Sequence, residues 1–405
     1  MRAAFLGTAL LTAMIAACGS EPRTSETTAD TLPDASNGLD GSTAAPDTGG
    51  DSDATASDVV TLDAVAVQDT DTVPDSSPDA APEDANTPDI APDDTVSTPD
   101  AAVEDVPVIP DGPVDPYEDG TFRFSTRSVR VPLGGGGEVE ASLYVPVTSD
   151  ATSFPAVLFG HGFQLTGASY TDYAERMASH GVIVLLPTWG DGLFSARTHT
   201  QLAGDVEAMV TWMIAENAAG GELAGALDVD SIGMSGHSRG GKGAIFGAII
   251  DDRVDAVFVL DPVDSGPPFG SNPTDYPSLT PERMAELRVP LGIVGAGKGS
   301  QATFGQACAP AADNYQAYYD AAGTPSYLYV VADAGHNDFL FSCSGFQCNV
   351  CPGGADAAFM RTMSNALLVS FMRFYLANDT RYEPFLSGGV LDDAVRAGDL
   401  NYRSR

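Results

Sequence analysis

A serine between two glycines is the residue of this chain best suited to covalent chemistry. The motif Gly-His-Ser-Arg-Gly (236–240) follows a strand-like stretch and precedes an apolar, small-residue stretch (240–250) that is typical of a helix. At a sharp turn from strand to helix, a serine takes a strained backbone conformation that exposes its hydroxyl. The flanking glycines remove side chains that would collide there. The pattern predicts that Ser238 is a nucleophile, against the alternative of a tight turn with a capping serine.

The base that activates such a serine is a histidine, and the chain has five. In this kind of site the order along the chain is serine, acid, histidine, so the base follows Ser238. His237 adjoins the serine and cannot fold back onto it, while His180 ends an amphipathic segment where a positive charge is favoured. His336 comes directly after the strand-like stretch 327–331. The sequence therefore predicts His336 as the general base, in a loop after the last strand.

The acid of the site is predicted from the ends of strands. A buried-strand pattern at 254–260 ends at Asp261, and Asp264 follows shortly after. Carboxylates at the carboxyl ends of parallel strands project into the crevice where ligands bind. The next strand-like stretch, 290–294, leads into a glycine-rich segment without a carboxylate. Asp261 is therefore the predicted acid and Asp264 the alternative, and a turn-capping role before Pro262 is the competing interpretation of Asp261.

Two backbone amides are predicted to stabilise a developing oxyanion. One belongs to Arg239, directly after the nucleophile, and the other to a loop after an earlier strand. The strand-like stretch 154–159 leads into Gly-His-Gly-Phe (160–163), so the Phe163 amide is the second candidate. His161 is expected to brace this loop through hydrogen bonds. Trp189, after another strand end, is a candidate wall of the substrate pocket, with a packed core position as the alternative.

Several of these segments resemble the chlorophyllase family of α/β-hydrolases. The likeness spans residues 143–339 and rests on motifs that occur in the family's order: Gly-His-Ser-Arg-Gly-Gly-Lys (236–242), Leu-Asp-Pro-Val-Asp (260–264), His-Gly-Phe (161–163), Ala-Ser-His-Gly (178–181), Cys-Ala-Pro (308–310) and Gly-His (335–336). The resemblance implies hydrolysis of a lipophilic carboxylic ester through Ser238, His336 and Asp261, with chlorophyll as one candidate substrate. A cysteine-rich insertion after His336 and a bacterial type of amino terminus depart from the family.

The resemblance leaves other functions open. The same scaffold serves cutinases and polyester hydrolases, and an acyl-enzyme can pass its acyl group to an alcohol other than water. A non-catalytic, surface-anchored binding module is a further alternative, although all three residue types of a triad are present. No motif requires a metal or an organic cofactor, so the expected partner is a small-molecule or lipid ester.

The pattern of apolar residues predicts an α/β fold for residues 116–405. Stretches 121–131 and 138–145 alternate apolar and polar residues around four glycines, which is typical of an antiparallel hairpin. Strand-like and helix-like segments then alternate, and 357–377 has an apolar face at helical spacing. This alternation predicts a mostly parallel twisted sheet covered by helices, as in the α/β-hydrolase fold.

The amino-terminal residues resemble an export signal. Residues 1–17 hold one Arg and an apolar run too short for an ordinary transmembrane helix. Ile-Ala-Ala-Cys (15–18) resembles a bacterial lipobox, in which Cys18 is lipidated; a plain signal peptide is the alternative. We therefore expect an exported bacterial lipoprotein, held by its lipid on the outer membrane, the cell surface or the periplasmic face.

Residues 18–115 have the composition of a disordered linker. Positions 19–115 hold 24 acidic residues and one Arg, with almost no aromatic residues. Such a segment buries too little apolar surface to offset the entropy of ordering it, and its charges repel one another. The whole chain has a net charge of −37, and residues 116–405 keep an acidic excess, which argues against a nucleic-acid partner.

Four cysteines follow Cys18, and their number is even. They are Cys308, Cys343, Cys348 and Cys351. In an exported chain this favours two disulfides, with the pairing open among three arrangements, over a structural zinc site. Bridges in this region would fix the loop after His336, so we expect the position of the base to depend on them.

Overall fold

The computed structural model describes residues 114–148, 152–190, 196–266, 272–303, 306–343 and 348–405. The predictions for the signal segment, for lipidation at Cys18 and for nearly all of the linker lie outside these residues. In the part of the chain that is described, no helix combines the length and the apolar character that crossing a membrane requires.

Strands and helices alternate along the described ranges. The strands are β1 (Arg123–Pro132), β2 (Glu138–Val147), β3 (Phe154–Gly160), β4 (Ile183–Thr188), β5 (Leu227–His237), β6 (Ala256–Leu260), β7 (Leu291–Ala296), β8 (Ala302–Thr303), β9 (Gln306–Ala307), β10 (Ser326–Val331) and β11 (Leu400–Ser404). The α-helices are α1 (Thr171–Ser179), α2 (His199–Glu216), α3 (Arg239–Ile250), α4 (Tyr315–Ala321), α5 (Ala357–Ala377) and α6 (Asp392–Ala397). Short 3-10 helices cover Gly167–Tyr170, Glu282–Glu286 and Thr380–Phe385.

Within these ranges, nine strands form one sheet in the order β1-β2-β4-β3-β5-β6-β7-β10-β11. The strands from β4 to β10 in that order pair in parallel, whereas the pairs β1–β2, β2–β4 and β10–β11 are antiparallel. Parallel neighbours require crossover connections, which the helices provide. The predicted α/β fold with a mostly parallel sheet, and the predicted hairpin at its start, are confirmed.

The central strands are covered on both faces. Every residue of β3, β6 and β7 is buried, whereas the edge strand β1 is largely exposed. Helices α2 and α3 contribute to the apolar core on one face, and α1 and α5 to the core on the other. Continuous apolar strands are what a sheet buried on both faces requires. The arrangement brings the carboxyl ends of β5, β6 and β10 to the same edge of the sheet.

Hairpin β8–β9, helix α6 and strand β11 are not predicted from the sequence. Strand β11 pairs antiparallel with β10, and of its five residues Leu400 alone is buried. A strand with a single buried residue has almost no apolar pattern to detect. The strand before His336 is therefore the last parallel strand and not the last strand of the sheet, which corrects the expectation from the sequence.

Candidate active site

The turn from β5 to α3 holds Ser238 in a strained conformation. Its φ is 57° and its ψ is −121°, a combination that residues other than glycine seldom adopt. The N–H of Ser238 donates to the carbonyl of Leu260 at 2.9 Å, which ties the turn to the end of β6. A Cβ at Gly236 would lie 2.6 Å from the carbonyl oxygen of Gly240, and one at Gly240 would overlap the carbonyl of Gly160. Both glycines are therefore required by the space between strand and helix.

The three side chains predicted for the triad meet above the ends of β5, β6 and β10. Ser238 Oγ is 2.9 Å from His336 Nε2, and His336 Nδ1 is 2.6 Å from Asp261 Oδ2. The Ser238 hydroxyl makes no capping bond to α3, so the capping alternative does not hold. Because His336 donates its Nδ1 proton to the carboxylate, Nε2 is left to accept the proton of the serine.

Asp261 is fully buried and held by the backbone as well as by His336. Its own N–H donates to the carbonyl of Val294 at 2.7 Å, and the N–H of Ala296 donates to its Oδ1 at 3.2 Å. The acceptor, Val294, and the donor, Ala296, both lie on β7, so this neighbouring strand orients the carboxylate. The Asp261 carboxylate bonds His336 and the N–H of Ala296, which does not match the alternative of a turn cap before Pro262.

Asp264 belongs to a different network. Its carboxylate lies 2.8 Å from Nζ of Lys242, and both side chains are fully buried. Ser278 and Thr280 hydroxyls and the N–H groups of Leu279 and Thr280 donate further hydrogen bonds to it. Burial raises the pKa of Asp264, but the charge of Lys242 and these hydrogen bonds outweigh burial and bring the pKa to about 2. Of the two candidate carboxylates, Asp264 therefore bonds Lys242, whereas Asp261 bonds His336.

Lys242 supports the site, although the sequence singles it out only as part of a motif. Its ammonium also donates to the backbone carbonyls of Asp264 and Pro277, each at 2.6 Å. Burial lowers the pKa of Lys242, and the attraction of Asp264 opposes that shift. The pair joins the first turn of α3, which follows the serine, to the segment that follows Asp261. A lysine within an apolar, small-residue helix is the sequence signal for such a pair, because buried lysines need a partner.

The two amides predicted for the oxyanion lie on neighbouring segments. Arg239 is the first residue of α3, and the first amides of a helix have no acceptor within the helix and lie at the positive end of its dipole. The Arg239 guanidinium lies over the Phe163 ring, 5.6 Å from its centroid. The carbonyl of Gly162 accepts hydrogen bonds from His161 Nδ1 at 2.8 Å and from the N–H of Leu165 at 3.2 Å. Because the peptide is planar, these bonds also set the direction of the Phe163 N–H.

Comparison with known proteins decides the family. The chlorophyllase family model matches residues 114–386, which is more than half of the chain. This chain belongs to the chlorophyllase family. The match extends beyond the motif-bearing region 143–339 in both directions, and the family inferred from the motifs is confirmed.

Individual chlorophyllases are similar to this chain at low identity. Chlorophyllase-2 of Arabidopsis thaliana is 25% identical over 268 residues, which cover 62% of this chain and 82% of the relative. Chlorophyllase type 0 of Chenopodium album is 26% identical over 290 residues, covering 66% and 80%. Chlorophyllase-1, chloroplastic, of Citrus unshiu is 27% identical over 251 residues, covering 58% and 73%. These chlorophyllase relatives support hydrolase activity for this chain.

In this chlorophyllase-family chain, a side chain fixes the loop that carries His336. One oxygen of Asp338, Oδ2, accepts the N–H groups of Gly335 and Gly354, both at 2.7 Å. A Cβ at Gly335 would overlap the carbonyl of Pro352, so the two segments touch along their backbones. The loop is therefore held against residues 352–354 rather than by the hydrogen bonds of the sheet.

The four cysteines are joined as Cys308–Cys351 and Cys343–Cys348. With all four sulfur atoms bonded in this way, they do not form the zinc site weighed from the sequence. The Cys308–Cys351 bond connects the chain between β9 and α4 to the segment that packs on the His336 loop. Ala309, next to Cys308, donates its N–H to the carbonyl of Gly299 at 3.0 Å, and a Cβ at Gly299 would lie 2.9 Å from Oδ2 of Asp261. One disulfide thus links the surroundings of the base to those of the acid.

Trp189 is buried and packs in the apolar core, which is the alternative to a position in the wall of the substrate pocket. Its side chain is 3% exposed, and its indole N–H donates to Asp205 at 3.2 Å. Its backbone N–H donates to Nε2 of His161 at 3.0 Å, so the proton of His161 is on Nδ1, facing the carbonyl of Gly162. Burial lowers the pKa of His161 to about 4, which keeps the ring neutral. His161 therefore braces the loop as expected.

His180 is not the helix-terminal cation that the sequence indicates. It is buried at the end of α1, where Nδ1 pairs with the hydroxyl of Tyr382 at 2.7 Å and Nε2 with the carbonyl of Glu118 at 3.0 Å. Burial lowers its pKa to about 4, so the ring is neutral near pH 7. Its partners come from segments far away along the chain, which a local pattern does not show.

Proposed function

We propose that this chain is a serine carboxylic-ester hydrolase that forms an acyl-enzyme at Ser238. The observation that carries the proposal is the continuous contact from Ser238 Oγ to His336 at 2.9 Å and from His336 to Asp261 at 2.6 Å. Membership of the chlorophyllase family supports the same reaction. A complete set of three groups in contact weighs against a binding module without catalysis.

Acylation begins when Ser238 Oγ attacks the carbonyl carbon of the ester and gives its proton to Nε2 of His336. Asp261 orients the ring and stabilises the imidazolium that forms. The carbonyl oxygen becomes negatively charged, and the N–H groups of Phe163 and Arg239 are its proposed donors. Collapse of this intermediate breaks the bond to the leaving oxygen, which takes the proton from His336 and departs as the alcohol. The acyl group remains on Ser238.

Deacylation repeats these steps with water as the nucleophile. His336 takes a proton from the water as its oxygen adds to the acyl carbon, and the same two amides stabilise the oxyanion. Breakdown returns the proton to Ser238 Oγ and releases the carboxylic acid. Both half-reactions therefore use one base and one set of donors.

We propose a lipophilic ester as the substrate, with chlorophyll as one candidate. The support is the family and the similarity to proteins named chlorophyllases. Hydrolysis of p-nitrophenyl esters of graded chain length, with and without chlorophyll as a competitor, tests this. We expect kcat/KM to rise with chain length and chlorophyll to inhibit competitively. A preference for the acetate ester together with no inhibition would contradict the assignment.

Labelling with a fluorophosphonate tests the nucleophile. The wild-type protein should be labelled stoichiometrically at Ser238, located by mass spectrometry, and should lose esterase activity in parallel. Ser238→Ala should neither label nor hydrolyse esters. Ser235→Ala is the matched control, because Ser235 is fully buried and its hydroxyl has no hydrogen-bond partner among the described residues. Undiminished esterase activity in Ser238→Ala would overturn the proposal.

We also propose that the chain is exported and lipidated at Cys18. Support comes from the lipobox-like sequence and from two disulfides in the described residues, since disulfides persist in oxidising compartments. Growth with radiolabelled palmitate should label the wild-type protein, and the esterase activity should sediment with membranes. Labelling that persists in Cys18→Ser would contradict this proposal.

A further inference from the structure

A buried chain of hydrogen bonds runs beside the proposed nucleophile. The N–H of Gly162 lies 3.2 Å from the hydroxyl of Tyr170, and that hydroxyl lies 2.7 Å from Nδ1 of His237. Nε2 of His237 lies 2.8 Å from the backbone carbonyl oxygen of His336. Tyr170 and His237 have no exposed surface. The chain thus connects the loop of the proposed oxyanion donor Phe163 to the backbone of the proposed base.

One arrangement of protons satisfies all three of these hydrogen bonds. The N–H of Gly162 can only donate, and the carbonyl of His336 can only accept. The Tyr170 hydroxyl therefore accepts from Gly162 and donates its own proton to Nδ1 of His237. Nε2 of His237 then carries the proton that it donates to His336. Burial raises the pKa of Tyr170 and lowers that of His237, so both side chains remain neutral.

Packing restricts these side chains further. The His237 ring centroid is 4.7 Å from that of His336 and 5.3 Å from that of Phe339. A Cβ at Gly162 would lie 3.1 Å from Nδ1 of His237, so the loop backbone is in contact with the ring. Interiors packed to this density transmit a displacement instead of absorbing it. A shift of His237 therefore moves the loop and the base together.

We propose that Tyr170 and His237 are positioning residues that hold the general base and the oxyanion loop at a fixed separation. This proposal rests on the proposed function, because a positioning role has meaning only if Ser238 and His336 carry out the ester chemistry. Both residues act through the backbone, His237 on His336 and Tyr170 on Gly162. His237 cannot serve as the general base, but in this proposal it positions the residue that does.

The expected kinetic effect follows from the shared use of these groups. His336 has to reach Ser238 in acylation and water in deacylation, and the Phe163 amide has to meet the oxyanion in both. A displacement of about 1 Å can slow an enzymatic step about a hundredfold. If both half-reactions slow together, kcat falls and KM changes little, whereas damage to a substrate pocket raises KM.

The first experiment removes one hydroxyl group. Tyr170→Phe keeps the ring but removes the donor to His237 and the acceptor for Gly162. For a p-nitrophenyl ester, we expect kcat per titrated active site to fall about tenfold to a hundredfold, with KM within about twofold of the wild type. Tyr329→Phe is the matched control, because it removes another buried hydroxyl, one that donates to the carbonyl of Leu386 at 2.7 Å. The control should keep the wild-type kcat.

The second experiment separates the hydrogen bonds of His237 from its volume. His237→Gln keeps one donor and one acceptor in a neutral side chain, and His237→Met fills the space with neither. We expect the Gln variant to retain at least about fivefold more kcat per titrated site than the Met variant, the effect of about one net hydrogen bond. Circular dichroism and thermal unfolding confirm that both variants are folded before the comparison is made.

Three results would overturn the positioning role. They are a kcat for Tyr170→Phe within about twofold of the wild type, a loss carried by KM alone, and equal kcat in the two folded His237 variants. In each case the proposed function stands as long as Ser238→Ala is inactive. If Ser238→Ala hydrolyses esters like the wild type, the proposed function itself has failed.

Discussion

Ser238 and His336 reach the same point of the site by different means. Ser238 stands at the end of β5, where a positive φ and two close-packed glycines set its position through the backbone. His336 lies in a loop after β10, and its surroundings are held by Asp338 and by the Cys308–Cys351 disulfide. The half of the site that holds Ser238 is therefore built into regular structure, whereas contacts between distant parts of the chain secure the half that holds His336.

The largest effect is expected where the two halves meet, at Asp261. Asp261→Asn should lower kcat/KM for a p-nitrophenyl ester about a thousandfold to ten-thousandfold, because the amide favours the wrong tautomer of His336 and cannot stabilise its imidazolium. Asp264→Asn is the control, since its carboxylate bonds Lys242 and not His336. It should reduce stability and leave kcat per titrated site within about threefold. If Asp264→Asn lost more kcat than Asp261→Asn, the acid of the site would be Asp264 and not Asp261.

In the half of the site that holds Ser238, stability should depend on the buried ion pair of Lys242 and Asp264. Lys242→Met leaves Asp264 as an unpaired buried carboxylate, so we expect the free energy of unfolding to fall by about 3–5 kcal/mol, measured by urea denaturation of the full chain. Loss of less than about 1 kcal/mol would show that the pair does not hold the turn from β5 to α3 against the segment after Asp261.

The pH dependence of stability provides a check on the same pair. The pKa of Asp264 is about 2 in the folded chain, below its ordinary value of 3.8. A lowered pKa means that the folded chain binds fewer protons than the unfolded chain, so this contribution is present above pH 4 and is lost as the pH falls towards 2. It amounts to about 2 kcal/mol. Lys242→Met should flatten the pH dependence in this window.

The half of the site that holds His336 should depend on one disulfide more than on the other. Replacing Cys308 and Cys351 by serine opens a bridge with a sequence separation of 43, against 5 for Cys343–Cys348. Chain entropy predicts losses of about 4 and about 2 kcal/mol, and kcat should fall in the first pair of substitutions, since Cys351 lies beside the segment that packs on the His336 loop. Esterase activity unchanged after reduction of both bridges would show that the base does not need them.

The smallest effect is expected at Trp189. Trp189→Phe removes the hydrogen bond from the indole N–H to Asp205, which contributes about 1 kcal/mol to stability. Because Trp189 is buried in the core, kcat/KM for short and long esters should each stay within about twofold of the wild type. A change in the preference between short and long esters would show that Trp189 forms a wall of the pocket.

What the sequence predicts well is what local patterns determine. Ser238 and Asp261 each follow an apolar run that reads as a strand, and both lie where such strands end. The family and the mostly parallel sheet follow from the same runs and motifs. His336 is found because few histidines compete with it, not because its loop has a recognisable pattern.

What the sequence does not predict depends on pairs of residues far apart along the chain. The Cys308–Cys351 pairing, the bond between Lys242 and Asp264, and the contact of His237 with the carbonyl of His336 each require the fold to be known first. Strand β11 escapes detection for a related reason, because it gains its place from pairing with β10 and has almost no apolar pattern of its own.

The most direct measurement of the central claim is the rate of Ser238 labelling by a fluorophosphonate in four proteins: wild type, Asp261→Asn, His336→Ala and the double variant. If the carboxylate acts through the imidazole, Asp261→Asn should slow labelling about a thousandfold in the wild-type background and by less than about twofold when His336 is already absent. Equal slowing in both backgrounds would contradict a triad in which the carboxylate acts through the imidazole, because it would mean that Asp261 and His336 act independently of each other.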